Sequence, residues 1–144
     1  MFHKIVVGVD GTEGARRAVQ WSAEQARDSD AEVVAVMAIR PMGEFAMSVP
    51  PLSMDTLRGV REVFRSDWCA PLREAGVPHR TEVVQDDPVH GLCAVVERER
   101  PDVLVVGAHD RGGVADRLLG SVSYAVTHRA RCPVVVIPAL ATST

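Results

Sequence analysis

The sequence predicts a doubly wound α/β fold, because short valine-rich runs alternate with amphipathic stretches of helical spacing. The valine-rich runs are apolar at consecutive positions, as in strands that are covered on both faces. Strands of this kind, separated by helices, form parallel sheets joined by right-handed crossovers. The 144 residues amount to one domain. We therefore expect a single domain over residues 1–140 and a small polar tail over residues 141–144.

Five runs predict five strands. They are Lys4–Val9, Glu32–Ile39, His79–Val84, Val103–Val106 and Val134–Ile137. In doubly wound sheets, ligands bind outside the carboxyl ends of the strands, where the strand order reverses. Asp10 follows the first strand and Gly107 ends the fourth. If those two strands are neighbours, both residues face one crevice.

Two helices are indicated by capping residues. Thr12 precedes Glu13–Asp28, and its hydroxyl can accept a hydrogen bond from a free N–H at the helix start. Asp87-Pro88 marks another start, because proline at the first helical position gives up no useful N–H. The expected buried faces are Ala15, Ala18, Val19, Ser22 and Ala26 in the first of these helices, and Val89, Leu92, Cys93 and Val96 in the second.

Two more helices are indicated by position and spacing. Val122–Arg129 fills the gap between the last two strands. After a proline-marked loop at 41–51, an apolar stripe predicts one helix, whose last turns Pro71 should kink or fray. The stripe consists of Leu57, Val60, Phe64, Trp68 and Leu72.

The segment from Gly107 to Ser121 has the composition of a phosphate-binding loop. Glycines let the backbone approach a ligand, and the free N–H groups and positive dipole of a following helix favour anions. Ser121 and Ser123 should also cap that helix by accepting hydrogen bonds from its first N–H groups. One residue opposes this interpretation, since Asp110 places a carboxylate in the loop.

Charge and composition exclude several classes. Lysine and arginine number 16 against 19 acidic residues, which argues against a general nucleic-acid binder because such proteins carry a basic excess. No apolar run approaches the roughly 20 residues that span a bilayer, so no membrane partner is expected. The odd count of three cysteines suits buried thiols in a reducing compartment, and we expect a cytoplasmic location.

Several motifs in order resemble the universal stress protein family along essentially the whole chain. The opening strand and Asp-containing turn, residues 4–12, are similar to the start of that family. The later landmarks are Asp86-Asp87-Pro88, residues 101–107, residues 118–123 and residues 132–136. The resemblance implies a Rossmann-like, adenine nucleotide alpha hydrolase-like sheet in the order 3-2-1-4-5. It also implies a homodimer in which the Val134–Ile137 strands of two subunits pair antiparallel.

The nucleotide-binding branch of the family carries glycine, two residues, glycine, nine residues, glycine, then serine or threonine. Here Gly107, Gly120 and Ser121 keep that spacing, but Asp110 replaces the second glycine. Aspartate tolerates a left-handed backbone, so the loop shape is compatible with it. Its charge is less compatible with a bound phosphate, because two like unit charges about 4 Å apart repel by roughly 4 kcal/mol at an effective dielectric near 20. A Mg²⁺ ion between them reverses the sign.

The resemblance implies ATP as the ligand, with Mg²⁺ on Asp10, and AMP or cyclic AMP as alternatives. From the residues alone, Asp10 either braces its own turn or contacts a ribose, an adenine edge or a metal ion. Only the resemblance places Ala38, Val106 and Val122 at an adenine pocket. The full set of candidate binding residues is Gly8, Asp10, Thr12, Ala38, Val106, Gly107, Asp110, Gly120, Ser121, Val122 and Ser123.

Two functions follow. The first is an ATP-binding regulatory protein of the stress response, with at most slow ATP hydrolysis, since residues 120–124 read Gly-Ser-Val-Ser-Tyr and lack the last glycine of a serine nucleophile elbow. The second is a dimeric protein-interaction module of the same family in which Asp110 has closed the nucleotide site.

Overall fold

The computed structural model describes residues 1–40, 54–108 and 120–138. Within them lies one five-stranded parallel sheet in the order β3-β2-β1-β4-β5, as the resemblance implied. The strands are β1 Lys4–Gly8, β2 Glu32–Ile39, β3 His79–Gln85, β4 Val103–Gly107 and β5 Val134–Ile137. The strand order reverses between β1 and β4, so the carboxyl ends of these two strands lie side by side.

The helices cover both faces of the sheet. They are α1 Glu13–Ser29, α2 Met54–Val63, a π-helical segment Phe64–Trp68, α3 Ala70–Glu74, α4 Pro88–Glu99 and α5 Ser121–Arg129. The proline-marked loop predicted at 41–51, the loop residue Asp110 and the polar tail at 141–144 lie outside the described residues.

Two apolar cores form because successive strand residues point to opposite faces. Ile5 and Val7 of β1 belong to the core beneath α1, whereas Val6 belongs to the core beneath α4 and α5. All five residues predicted for the buried face of α1, four apolar ones and Ser22, are buried. Both predicted caps also form, with Thr12 Oγ1 accepting from Ala15 N at 3.2 Å and Asp87 Oδ2 accepting from His90 N at 2.9 Å.

The single helix predicted across the 57–72 stripe is wrong. The stripe is divided among α2, the π-helical segment and α3, and Phe64 and Leu72 are its fully buried members. Pro71 neither kinks nor frays a last turn. It lies in the first turn of α3, where the missing N–H costs little.

Smaller differences concern faces and ends. In α4 the buried residues are Gly91, Leu92, Val95 and Val96, whereas the predicted Val89 and Cys93 are half-buried. The prediction ran β1 one residue too far, to Val9, and began α5 one residue late, at Val122. Within the described ranges, no helix is long and apolar enough to cross a membrane.

The amino-terminal edge of the sheet, remote from the carboxyl-end crevice, is held by charges around Glu99. Its carboxylate accepts from Lys4 Nζ at 3.0 Å, Arg80 Nη2 at 2.5 Å and Arg98 Nε at 3.1 Å. The hydrogen bond from Lys4, followed by those from Arg98 and Arg80, lowers the pKa of Glu99 to about 2. This cluster ties β1 and β3 to the end of α4.

The cysteine thiols differ in burial. Cys69 is 1% exposed, and desolvation raises its pKa to about 11. Cys93 and Cys132 are half-buried, and burial raises the pKa of each. A raised pKa keeps a thiol protonated and weakly reactive at neutral pH, which suits a packing role.

Candidate functional site

A cavity of about 210 Å³ opens at the carboxyl edge of the sheet, where β1 and β4 meet. It is bounded by the ends of β1, β2 and β4 and by the first turns of α1, α4 and α5. The residues that line it are Gly8, Val9, Asp10, Ala15, Val36, Ala38, Pro88, Leu92, Val106, Gly107, Ser121, Val122 and Ser123. This is the position at which doubly wound sheets bind ligands.

The structure brings most of the predicted candidates to this cavity. Those on its wall are Gly8, Asp10, Ala38, Val106, Gly107, Ser121, Val122 and Ser123. Thr12 and Gly120 lie beside it as helix caps rather than on the wall. Asp110 lies outside the described residues. Contact of any of these residues with a ligand remains a prediction.

The turn after β1 fixes the Asp10 carboxylate. Its Oδ1 accepts from Thr12 N at 3.0 Å and from Thr12 Oγ1 at 2.6 Å. Gly11, between them, has a φ of 83°, a left-handed conformation that favours glycine. The bracing role considered for Asp10 is therefore present, and the same bonds hold the carboxylate at the cavity wall.

The start of α5 differs from the predicted arrangement. Gly120 occupies the N-cap position, and among the described residues no side-chain cap bonds to the first N–H groups of the helix. The capping predicted for Ser121 and Ser123 is wrong, because both lie inside the first turn. The Ser123 hydroxyl instead donates to the Gly120 carbonyl at 3.0 Å, and Ser121 is exposed. The first turn of α5 contains no acidic residue.

The other two helix starts at this edge are closed by acidic or hydroxyl side chains. Thr12 caps α1, with Glu13 in its first turn, and Asp87 caps α4. Of the three helices whose first turns border the cavity, α5 alone has backbone N–H groups that no side chain in the described ranges caps. That start is the most favourable position at this edge for a negatively charged group.

An exposed ion pair lies at the rim beside α4. His90 Nδ1 is 2.6 Å from Asp86 Oδ2, and Asp86 Oδ1 accepts from Asp87 N at 2.7 Å. The hydrogen bond that His90 donates to the Asp86 carboxylate raises the pKa of His90 and lowers the pKa of Asp86. The pair adds no net charge to the rim while both groups are ionised.

Gly107 has a packing role that the sequence did not reveal. A Cβ built on Gly107 would collide with the backbone of Gly14 and Ala15 in α1, and one on Gly14 would collide with the Ala108 carbonyl. The first turn of α1 therefore crosses the end of β4 at backbone contact. The pair of glycines sets the distance between Asp10 and Gly107 across the crevice.

Sequence reasoning missed five wall residues, namely Val9, Ala15, Val36, Pro88 and Leu92. Pro88 carried a usable signal, because a helix that starts directly after β3 begins at the carboxyl edge of a parallel sheet. Val36 and Leu92 read as ordinary core positions and carry no signal of their own. No group of three or more potential metal ligands occurs in the part of the chain that the structure describes.

Comparison with known proteins identifies the relatives of this chain. Residues 1–138 match the model of the universal stress protein family. Universal stress protein Rv2005c of Mycobacterium tuberculosis is 33% identical over 134 residues, which cover 92% of this chain and 44% of that protein. The chain thus spans less than half the length of the first curated relatives that it matches.

Two solved structures are similar over nearly the whole chain. A universal stress protein in complex with cAMP is 25% identical with a TM-score of 0.74, covering 96% of this chain and 98% of that one. A universal stress protein family protein from Arabidopsis thaliana with AMP bound is 25% identical with a TM-score of 0.69, covering 99% of this chain and 95% of that one.

Proposed function

The chain belongs to the universal stress protein family, and from that premise we propose that it is a regulatory protein of the stress response that binds an adenine nucleotide, ATP in the first place. The observation that carries the proposal is the cavity between β1 and β4, with an apolar end and an uncapped helix start. Similar structures with cAMP and with AMP support an adenine nucleotide as the ligand class.

The cavity has a polarity that suits a nucleotide. Ala38, Pro88 and Leu92 form an apolar end that suits a flat base. The uncapped N–H groups of α5, together with the exposed Ser121 hydroxyl, suit phosphate oxygens. The described residues enclose a cavity of about 210 Å³, which is smaller than the roughly 300–1,000 Å³ of typical small-molecule sites. We infer that they hold the base and ribose, with the phosphates at the open end beside α5.

Asp10 lies between these two ends. Its Oδ1 is bonded to Thr12, and the carboxylate lines the cavity, where it can accept from a ribose hydroxyl. One carboxylate with nucleotide phosphate oxygens is also a common donor set for Mg²⁺. Asp10 would then hold the ion, which would offset the charge of Asp110 predicted for the loop.

We further propose that the protein is not a metabolic enzyme and acts in the cytoplasm as a homodimer. The Ser123 hydroxyl donates to a backbone carbonyl, an arrangement without the general base that activates a serine nucleophile. β5 is one of the two edge strands of the described sheet, and Val134, Val135 and Val136 are half-buried. An edge of this kind favours pairing with a second copy, and antiparallel pairing would cover it.

The proposal is tested by denaturing the purified protein and identifying released nucleotide, followed by calorimetric titration with ATP, ADP, AMP and cAMP, with and without Mg²⁺. Gly120→Val places a side chain at the α5 start, and we expect it to abolish nucleotide retention. Gly59→Val is the matched control, because a Cβ at Gly59 meets nothing within 4 Å. A wild type that carries no nucleotide and binds none at millimolar concentration would contradict the proposal and favour the interaction module.

A further inference from the structure

Trp68 packs directly on the turn that carries Asp10. A Cβ built on Gly11 would lie 2.7 Å from indole Cζ2 and 2.8 Å from Cη2 of Trp68. Two features therefore require glycine at position 11, namely its φ of 83° and its contact with the indole ring. The indole therefore contacts the turn, and Trp68 is not among the described residues that line the cavity.

The π-helical segment sets the position of this ring. Cys69 N donates to the Phe64 carbonyl at 3.1 Å, a bond across five residues that widens the helical turn. Phe64 is 1% exposed and anchors the segment in the core beneath α1. Its ring lies 6.5 Å from that of Trp68 at an angle of 54°, so the two rings support each other.

Arg73 fastens the same segment from α3. Its guanidinium donates to the Ser66 carbonyl at 2.9 Å and to the Arg65 carbonyl at 3.4 Å. These carbonyls belong to the widened turn. Leu72 beside Arg73 is fully buried, so the fastening point is itself fixed in the core. The segment that carries Trp68 is therefore held by the packing of Phe64 in the core and by the hydrogen bonds from Arg73 to its next two residues.

We propose that Trp68 is a positioning residue: its indole holds the Gly11 turn in one conformation, so that Asp10 presents its carboxylate to the cavity. The hydrogen bonds from Thr12 to Asp10 Oδ1 span this turn and depend on its conformation. The effect on nucleotide affinity rests on the proposed function, whereas the effect on the turn does not. π-Helical insertions occur often at functional sites, and here the insertion would serve to place the ring.

The expected effect on affinity follows from the fraction of molecules whose Gly11 turn is in the binding-competent conformation. If removal of the ring leaves the turn in the binding-competent conformation about a tenth of the time, the apparent Kd rises about tenfold. Exchange of the Thr12 amide proton should accelerate at least about tenfold, because that N–H is bonded to Asp10 only in the competent turn and the open fraction would rise to about nine tenths.

The experiment compares Trp68→Leu with Trp21→Leu. Trp21 is a matched control, because it is also half-buried and paired with a phenylalanine, Phe2, at 6.3 Å and 58°. We expect Trp68→Leu to speed Thr12 amide exchange at least about tenfold and to weaken ATP binding about tenfold. Trp21→Leu should change neither, and Trp68→Phe should recover most of the wild-type behaviour. Unchanged Thr12 exchange in folded Trp68→Leu would overturn the proposal, whatever the affinity.

Two further outcomes are also decisive. If the wild type binds no nucleotide, the proposed function fails, while Thr12 exchange still decides the role of Trp68. If Trp68→Leu does not fold, Trp68→Met replaces it, because methionine fills apolar space at this position without a flat ring. Unchanged Thr12 exchange in folded Trp68→Met would overturn the proposal.

Discussion

Ser121→Glu should have opposite effects on stability and on nucleotide binding. Ser121 is the first residue of α5, exposed, at a helix start without a side-chain cap. A carboxylate there complements the helix dipole, so the free energy of unfolding should rise by about 0.3–1 kcal/mol. The same carboxylate would oppose a phosphate at the N–H groups. At about 4 Å the repulsion is roughly 1 kcal/mol in water and roughly 4 kcal/mol at an effective dielectric near 20.

Because Ser121 is exposed at the cavity mouth, we expect a value between these limits, near 2 kcal/mol, or a Kd for ATP about 30-fold weaker. Calorimetry and thermal unfolding measure the two effects on one sample. Ser121→Gln is the control, since it adds the same length without charge. The loss should shrink as salt is raised from 0.05 to about 0.5 M, because exposed charges are screened. An equal loss of ATP affinity in both variants would refute the electrostatic reasoning. Unchanged affinity in both would show that the phosphates do not bind at the start of α5.

Three further variants test other parts of the structure. Glu99→Gln should lower the free energy of unfolding by about 1 kcal/mol at pH 7, because screening around the half-exposed partners of Glu99 reduces the effect of the full pKa shift from 4.5 to about 2. The difference from the wild type should vanish as pH falls from about 4.5 through about 2, as measured by urea unfolding at each pH. Gly107→Ala should lower the free energy of unfolding by about 2–3 kcal/mol, because α1 must move away from β4. Gly59→Ala should raise it by about 0.5–1 kcal/mol, because the added Cβ meets open space in a helix. Equal urea midpoints for the two variants would contradict the backbone contact. Asp110→Gly should tighten ATP binding in Mg²⁺-free titrations if its carboxylate faces the phosphates, and weaker binding in titrations with Mg²⁺ would indicate that it helps to hold the metal.

The strands could be predicted from the sequence to within a residue or so at their ends, because valine runs buried on both faces have few alternative structures. The helix interpretation failed where two periodicities coincide. Residues four apart, such as Phe64 and Trp68, lie on nearly the same side of an α-helix and of a π-helix. The spacing is therefore the same for both, and only the bond from Cys69 N to the Phe64 carbonyl distinguishes them.

The residues at the cavity could be predicted where they depend on the local sequence, but not where they depend on the packing of one element against another. Asp10 and Gly107 were identified because each follows a strand, and strand ends define the crevice. Gly14 was missed, because its role arises from the crossing of α1 over β4, which has no local signature. The adjacency of β1 and β4 likewise came from the family resemblance, since spacing alone does not order the strands.

The capping error at α5 bears on function. Caps at Thr12 and Asp87 form as expected, because each side chain lies just before its helix. At α5 the position just before the helix is Gly120, and the serines follow inside the first turn. Glycine at an N-cap is only a few tenths of a kcal/mol less stable than serine or asparagine. Within the part of the chain that the structure describes, Gly120 therefore leaves the N–H groups of α5 without a side-chain cap at small cost to the fold, whereas a capping side chain there would compete with the proposed phosphate for the same hydrogen bonds.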